Sequence, residues 1–233
     1  MKTSPASFKK ALHASVKIPV GYVELEGDLD LPPDAPGVVI FAHGSGSSRH
    51  SRRNQYVAEV IRATGVGTLL FDLLTQVEEQ EDDITRGLRF DIDLLARRLI
   101  GATRWLESHP ETRGLKMGYF GSSTGGAAAL MAAAELGDRI AVVVSRGGRP
   151  DLAGNALHRV RSPTLLIVGG LDEAVIALNE EAFEKLGCEK SFRIVPGATH
   201  LFEEPGKLEQ VAQLSAHWFS SHLGAFDDQK EAT

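Results

Sequence analysis

Three residues of this chain have the types and the order to do nucleophilic chemistry: Ser123, Asp172 and His200. A serine hydroxyl is a weak nucleophile at neutral pH. It needs an imidazole to take its proton and a carboxylate to hold that imidazole in one tautomer, and the three together can attack a carbonyl carbon. Ser123 lies in "GYFGSSTGGAAALMAAA" (118–134), within Gly121-Ser122-Ser123-Thr124-Gly125, the spacing G-x-S-x-G. The small residues have a steric purpose. A turn from strand to helix sharp enough to expose one side chain strains that residue's backbone, and the positions two away come too close to carry side chains. Gly126, Ala127 and Ala128 then let the next helix lie tight on the sheet. The pattern alone is weak, because a serine capping a helix after a glycine-rich turn would also produce it. The order downstream strengthens it. "LLIVGGLDEAV" ends an apolar run and delivers Asp172, and "FRIVPGATHLFEEPG" ends another and delivers His200. Glu173 is an alternative acid, although it more naturally begins the following helix.

The other histidines fit the role less well. His217 and His222 fall in the terminal helix, His109 ends a helix, His13 is N-terminal and His158 precedes a strand. His43 and His50 flank a glycine-rich loop and could line the site, but they precede the serine. Attack on a carbonyl also requires two donors for the oxyanion. The N–H of Thr124, at the start of the helix, is one expected donor. The second is expected from Ser45 in "HGSGSSRHSRRN" (43–54), although a plain flexible turn would explain Gly44 and Gly46 equally well. Basic residues cluster near the same strand ends. Arg146, with Arg49 or Arg53, could clamp an anionic substrate, since a guanidinium matches a carboxylate bidentately; the other reading is exposed charges in local salt bridges.

These groups need a scaffold. The runs "VVIFA" (38–42), "GTLLFD" (67–72), "KMGYF" (116–120), "IAVVVS" (140–145), "TLLIVG" (164–169) and "SFRIV" (191–195) are short and continuous, as strands covered on both faces of a parallel sheet are. Helical stripes separate them: Tyr56, Val57, Val60 and Ile61; Ile92, Leu95, Ala96, Leu99 and Thr103; Val175, Leu178, Ala182, Phe183 and Leu186; Leu208, Val211, Leu214, Trp218 and Phe219. Such alternation predicts an α/β fold with a doubly wound, mostly parallel sheet and helices on both faces. Segment 20–37 alternates and reads as an antiparallel edge hairpin or strand pair. Residues 1–19 read as an N-terminal extension, 20–223 as one domain and 224–233 as a flexible tail. The acidic run 78–83 reads as a solvated loop, or else as a mobile flap over the site. The stretch between about 145 and 164 is too short for a cap domain.

Composition bounds the function. A length of 233 residues allows one fairly large domain. The net charge of −6 leaves no surplus of Lys and Arg to neutralise nucleic-acid phosphates. No apolar stretch approaches the ~20 residues that span a bilayer, and no signal peptide is read at the N-terminus. The single cysteine, Cys188, excludes an internal disulfide and a cysteine-rich metal site. A cytoplasmic enzyme of small molecules, without metal or other cofactor, is expected, with a homodimer conceivable.

The motifs "HGSGSS", "GYFGSSTGG", "VGGLDEAV" and "PGATHLFEEPG", in that order, resemble the α/β-hydrolase fold and, more narrowly, the dienelactone hydrolase family of small, capless members. The resemblance runs from about Val20 to Leu223. It implies a cofactor-free serine hydrolase that works through an acyl-enzyme. Dienelactone hydrolases proper carry a cysteine in the elbow, where this chain has Ser123. Cys188, between a helix and a strand, cannot take that place and reads as a buried apolar residue. A carboxylesterase of small esters is therefore the expected activity. Lactonase, thioesterase and peptidase chemistry share the same catalytic parts, and a non-catalytic binding protein is the reading from a different class.

Overall fold

The computed structural model describes residues 10–224. It opens with an antiparallel hairpin, β1 (Leu12–Val20) and β2 (Val23–Leu31). Val20 pairs with Val23, so only Gly21 and Tyr22 make the turn, with Gly21 at φ +62° in the left-handed region that glycine tolerates. The hairpin thus begins earlier than segment 20–37. The expected N-terminal extension is correspondingly shorter, because residues 12–19 belong to β1. Of the expected tail, only Gly224 lies within the described residues, where it closes the last helix.

The six apolar runs all form strands: β3 (Gly37–Ala42), β4 (Gly67–Phe71), β5 (Lys116–Ser122), β6 (Ile140–Arg146), β7 (Thr164–Gly169) and β8 (Lys190–Val195). Every residue of β3, β4 and β7 is buried, as strands covered by helices on both faces must be. The sheet order is β1-β2-β4-β3-β5-β6-β7-β8; β2 runs antiparallel to both of its neighbours, β1 and β4, and the remaining pairs are parallel. It is the doubly wound, mostly parallel sheet of the α/β-hydrolase fold, without a cap domain.

Among the described residues, six α-helices complete it: α1 (Arg52–Arg62), α2 (Gln76–Thr85), α3 (Ile92–Ser108), α4 (Thr124–Leu136), α5 (Glu173–Lys185) and α6 (Lys207–Leu223). Val57 and Ile61 of α1 join Val211 and Phe219 of α6 in the core on one face of the sheet. Leu95 and Leu99 of α3 and the alanines of α4 fill the core on the other. Ala127, Ala128, Ala129, Ala132 and Ala133 are all fully buried, so α4 uses its small side chains to come close to the sheet. A run of 3₁₀ turns, Pro150–Arg159, links β6 to β7.

The acidic run 78–83 is not a loop. It lies within α2, whose start carries a capping box: the Thr75 side chain accepts from the Glu78 N–H, and the Glu78 carboxylate accepts from the Thr75 N–H. Apolar packing contributes little to this helix. Val77 and Ile84 face solvent, and Asp82 is its only buried side chain. Ion pairs hold it instead, from Glu78 to Arg98 of α3 and from Asp82 to Arg89 in the 3₁₀ turn Leu88–Phe90.

Candidate active site

Ser123 stands between β5 and α4 at φ +51°, ψ −122°. A non-glycine residue in such a region costs of order 1–3 kcal/mol and persists only where its surroundings hold it there. They do so here. The Ser123 N–H donates to the Arg146 carbonyl at 3.3 Å, and its own carbonyl accepts from the N–H groups of Gly126 and Arg149 at 3.0 and 3.1 Å. The neighbouring glycines are required by contact. A Cβ on Gly121 would lie 2.4 Å from the Gly125 carbonyl oxygen, and one on Gly125 only 2.1 Å from that of Ala42. A Cβ on Gly126 would meet Ser145 Oγ at 2.6 Å. The elbow therefore wedges between the ends of β3 and β6, with its serine pushed outward.

Asp172 and His200 follow β7 and β8, and the backbone joins their two loops. Gly170 N–H donates to the Val195 carbonyl and Leu171 N–H to that of Ala198, both at 2.9 Å. Asp172 Oδ2 lies 2.6 Å from His200 Nδ1. The carboxylate can only accept, so Nδ1 carries the hydrogen and Nε2 is left with its lone pair. Glu173, the alternative acid, begins α5 and is exposed. Phe202, fully buried at φ +58°, anchors the histidine loop in the core. His200 neighbours Gly147, where an added Cβ would sit 3.5 Å from the imidazole Cε1. Gly147 directly follows the residue that receives the Ser123 N–H, so the histidine loop packs beside the elbow.

The loop after β3 lies against the same point. A Cβ on Gly44 would meet Ser123 Cβ at 3.0 Å, and Ser45 Oγ is 3.2 Å from Thr124 Oγ1. The two expected oxyanion donors are thus neighbours, and Thr124 opens α4, where the first N–H groups have no helical partner.

His43, expected from the sequence only as a residue that could line the site, does line its cavity and also holds this loop. His43 is buried, and its Nε2 accepts from the Leu73 N–H at 3.0 Å. The hydrogen must then sit on Nδ1, which donates to the Gly44 carbonyl at 3.0 Å. One neutral imidazole so ties the loop after β3 to the chain after β4. Burial lowers its pKa below the ordinary 6.5. In the acid range the unfolded chain therefore binds the proton that the folded one resists. The stabilisation is complete above 6.5 and is lost as pH falls toward the lowered folded value. His43→Ala leaves two buried groups unpaired at about 1–3 kcal/mol each. The variant should be less stable at neutral pH, lack this part of the acid dependence and show a lower kcat. Denaturant melts from about pH 5 to 8 and steady-state kinetics check this.

The expected arginine clamp is not assembled. Arg49 is held by Asp72 and Glu26, with Asp28 at 3.5 Å, and these carboxylates neutralise it. Arg53 pairs with Glu203 at 2.7 Å. Arg146 points into the core, 4% exposed, with its guanidinium 5.6 Å from the Phe202 ring centre and a long 3.4 Å bond to Asn54. Burial brings its pKa down to about 10. Arg149 pairs with Asp151. Cys188 is half-buried rather than fully so, 3.8 Å from Thr164 Oγ1. It precedes β8 at the sheet end opposite to Asp172 and His200, and burial raises its thiol pKa.

A cavity of about 280 Å³ opens beside Gly44, Ser45 and Thr124, walled by α2 and the turn that follows it. The acidic segment therefore does border the site, as a helix. Among the described residues, no group of three or more His, Cys, Asp or Glu is arranged to hold a metal ion, and no helix is long and apolar enough to cross a membrane.

Known proteins share this fold. The sequence model of the dienelactone hydrolase family matches residues 25–227. A dienelactone hydrolase from Anabaena variabilis superposes with a TM-score of 0.90 at 58% identity, over 92% of this chain and 99% of that one. The esterase domain of a Rhodothermus marinus protein superposes with a TM-score of 0.72 at 20% identity, over 91% of this chain and 100% of that one, a likeness of fold alone. A Mycobacterium tuberculosis protein that bears a provisional phosphoribosyl transferase name is 55% identical over 208 residues. That match takes in 89% of this chain but 46% of the mycobacterial protein, so the chain spans about half the length of that relative.

Proposed function

The chain belongs to the dienelactone hydrolase family, and on that premise we propose that it is a serine hydrolase of small carboxylic esters that works through an acyl-enzyme. One observation carries the reading. A serine is held at φ +51° on a glycine-walled elbow, packed beside a histidine loop whose imidazole is bonded to a carboxylate at 2.6 Å.

His200 Nε2 takes the Ser123 proton as Oγ attacks the ester carbonyl. Asp172 fixes the Nδ1–H tautomer and stabilises the imidazolium that forms. The N–H groups of Ser45 and Thr124 receive the oxyanion, each such donor being worth ~2.7–4 kcal/mol in the transition state. The imidazolium then protonates the departing alcohol. Water, deprotonated by His200, attacks the acyl-enzyme and returns Ser123 to its free hydroxyl. The positive end of α4 lies beneath the forming anion and adds to its stabilisation. Every group in this cycle is a side chain, a backbone N–H or water.

The phosphoribosyl transferase name belongs to proteins about twice as long as the segment matched here. The test of the present reading is covalent. A fluorophosphonate, which reacts with activated serines, should modify Ser123 and no other serine; failure to react removes the hydrolase assignment.

A further inference from the structure

The cavity beside the oxyanion loop carries charge that the serine chemistry does not use. It touches Ser45 and Thr124, so a substrate whose carbonyl oxygen rests on their N–H groups extends one arm directly into it. The cavity, about 280 Å³, falls just below the about 300–1,000 Å³ of ligand pockets and leaves room for one short arm. The wall facing the donors comes from α2 and the turn behind it, with Glu79, Asp82, Asp83 and Arg89. Three carboxylates stand against one guanidinium, a surplus of two negative charges.

Arg89 is already committed. Its Nε bonds Asp82, and its NH2 bonds Asp83 and the Asp82 carbonyl, while NH1 turns toward Gly46. Glu79 has no ion-pair partner among the described residues, because the nearby Arg49 is held by Asp72 and Glu26. Burial and the charges of Asp72 and Asp83 raise the Glu79 pKa against the opposing pull of Arg49 and His50, so the carboxyl sits where negative charge is disfavoured. A guest carboxylate would be desolvated into that field, and a guest ammonium would relieve it.

We infer that the acidic wall of α2 selects substrates by charge, so that the arm entering the cavity is cationic and not a carboxylate. The assignment rests on Ser123 being the nucleophile, and it reverses the anionic preference that the basic residues of the sequence suggest. Glu79 is the specificity-determining residue, since Asp82 is balanced by Arg89 and Asp83 is largely exposed to solvent.

Matched p-nitrophenyl and alkyl esters test it, each bearing a terminal trimethylammonium, methyl or carboxylate group on the acyl or the alcohol side. On one of the two sides, kcat/KM for the cationic ester should exceed that for the anionic one by at least about tenfold at low ionic strength, with the ratio shrinking as salt is added. Glu79→Gln should lower the ratio severalfold. A ratio within one preparation does not depend on how much of the variant is folded. If fluorophosphonate labels Ser123 but the anionic ester is used as well as the cationic one on both sides, the charge assignment is wrong. It is equally wrong if Glu79→Gln leaves the ratio unchanged. If Ser123 is neither labelled nor acylated, the hydrolase reading falls and takes the charge assignment with it.

Discussion

Ser123→Ala should fold normally and lose ester hydrolysis by about ten-thousand-fold or more, since the members of such a triad act as a unit. The loss should appear in kcat with little change in KM, because the cavity and the oxyanion donors are untouched. What remains should be slow hydrolysis by water, aided by those donors. Ser123→Gly separates function from strain. It should be as inactive as the alanine variant but more stable than the wild type, because glycine adopts φ +51°, ψ −122° without the cost a side chain imposes. A thermal melt beside a p-nitrophenyl ester assay reads both effects. Equal activity in Ser123→Ala and wild type would remove the serine from the mechanism.

Gly125→Ala should be the most damaging single methyl group at the elbow. Its Cβ would lie 2.1 Å from the Ala42 carbonyl oxygen and 2.6 Å from that of His43, both backbone atoms that cannot rotate away. Either α4 or the end of β3 must move, and the proposed oxyanion donors sit at the start of α4 and in the loop that follows β3. Overpacking of this kind costs typically 1–3 kcal/mol and more where only backbone can yield, so about 3 kcal/mol is expected. For a chain of this size that is a fall in Tm of roughly 6–12 °C. Turnover should drop as well, since an ångström of displacement at the donors is enough to cost about a hundredfold. Gly187→Ala is the control. Nothing lies within 4 Å of its Cβ, and that substitution should leave Tm and activity near those of the wild type.

The elements legible in the sequence are those whose signals are local. Six continuous apolar runs read as strands because helices cover both faces. The elbow read as an elbow because its small residues sit at fixed spacing around Ser123; Gly121 must be small for a contact with Gly125 four residues on, whereas Gly125 must be small for the distant end of β3. Ser123, Asp172 and His200 could be ordered because each ends a readable strand. β1 was hidden for the opposite reason. Its side chains alternate, and only Ile18 is fully buried, so an edge strand looks like a loose terminus. Helix α2 has no apolar stripe to announce it, although Thr75 and Glu78 spell a capping box three residues apart. The ion pair that secures it, to Arg98, joins positions twenty residues apart.

The arginines show the limit of reading charge without partners. Arg49 looked available for a substrate, yet its partners Glu26 and Asp72 lie twenty-three residues away on either side and meet it only once β2 pairs with β4. The same topology brings α2 against the loop after β3, which turns an acidic run into a cavity wall. His43 gave one faint signal, a histidine directly before Gly44 at a strand end. Its task depends on Leu73, thirty residues on. Charge at the cavity wall is therefore a property of the assembled fold, where Glu79, Asp82, Asp83 and Arg89 come together.

The most direct measurement is the mass and position of the adduct formed with a fluorophosphonate. One phosphonyl group per chain should appear, peptide mapping should put it on Ser123, and His200→Ala should slow its formation by orders of magnitude. No adduct, or an adduct on Ser45 or Ser122 that forms equally fast without His200, would contradict an activated serine at the elbow.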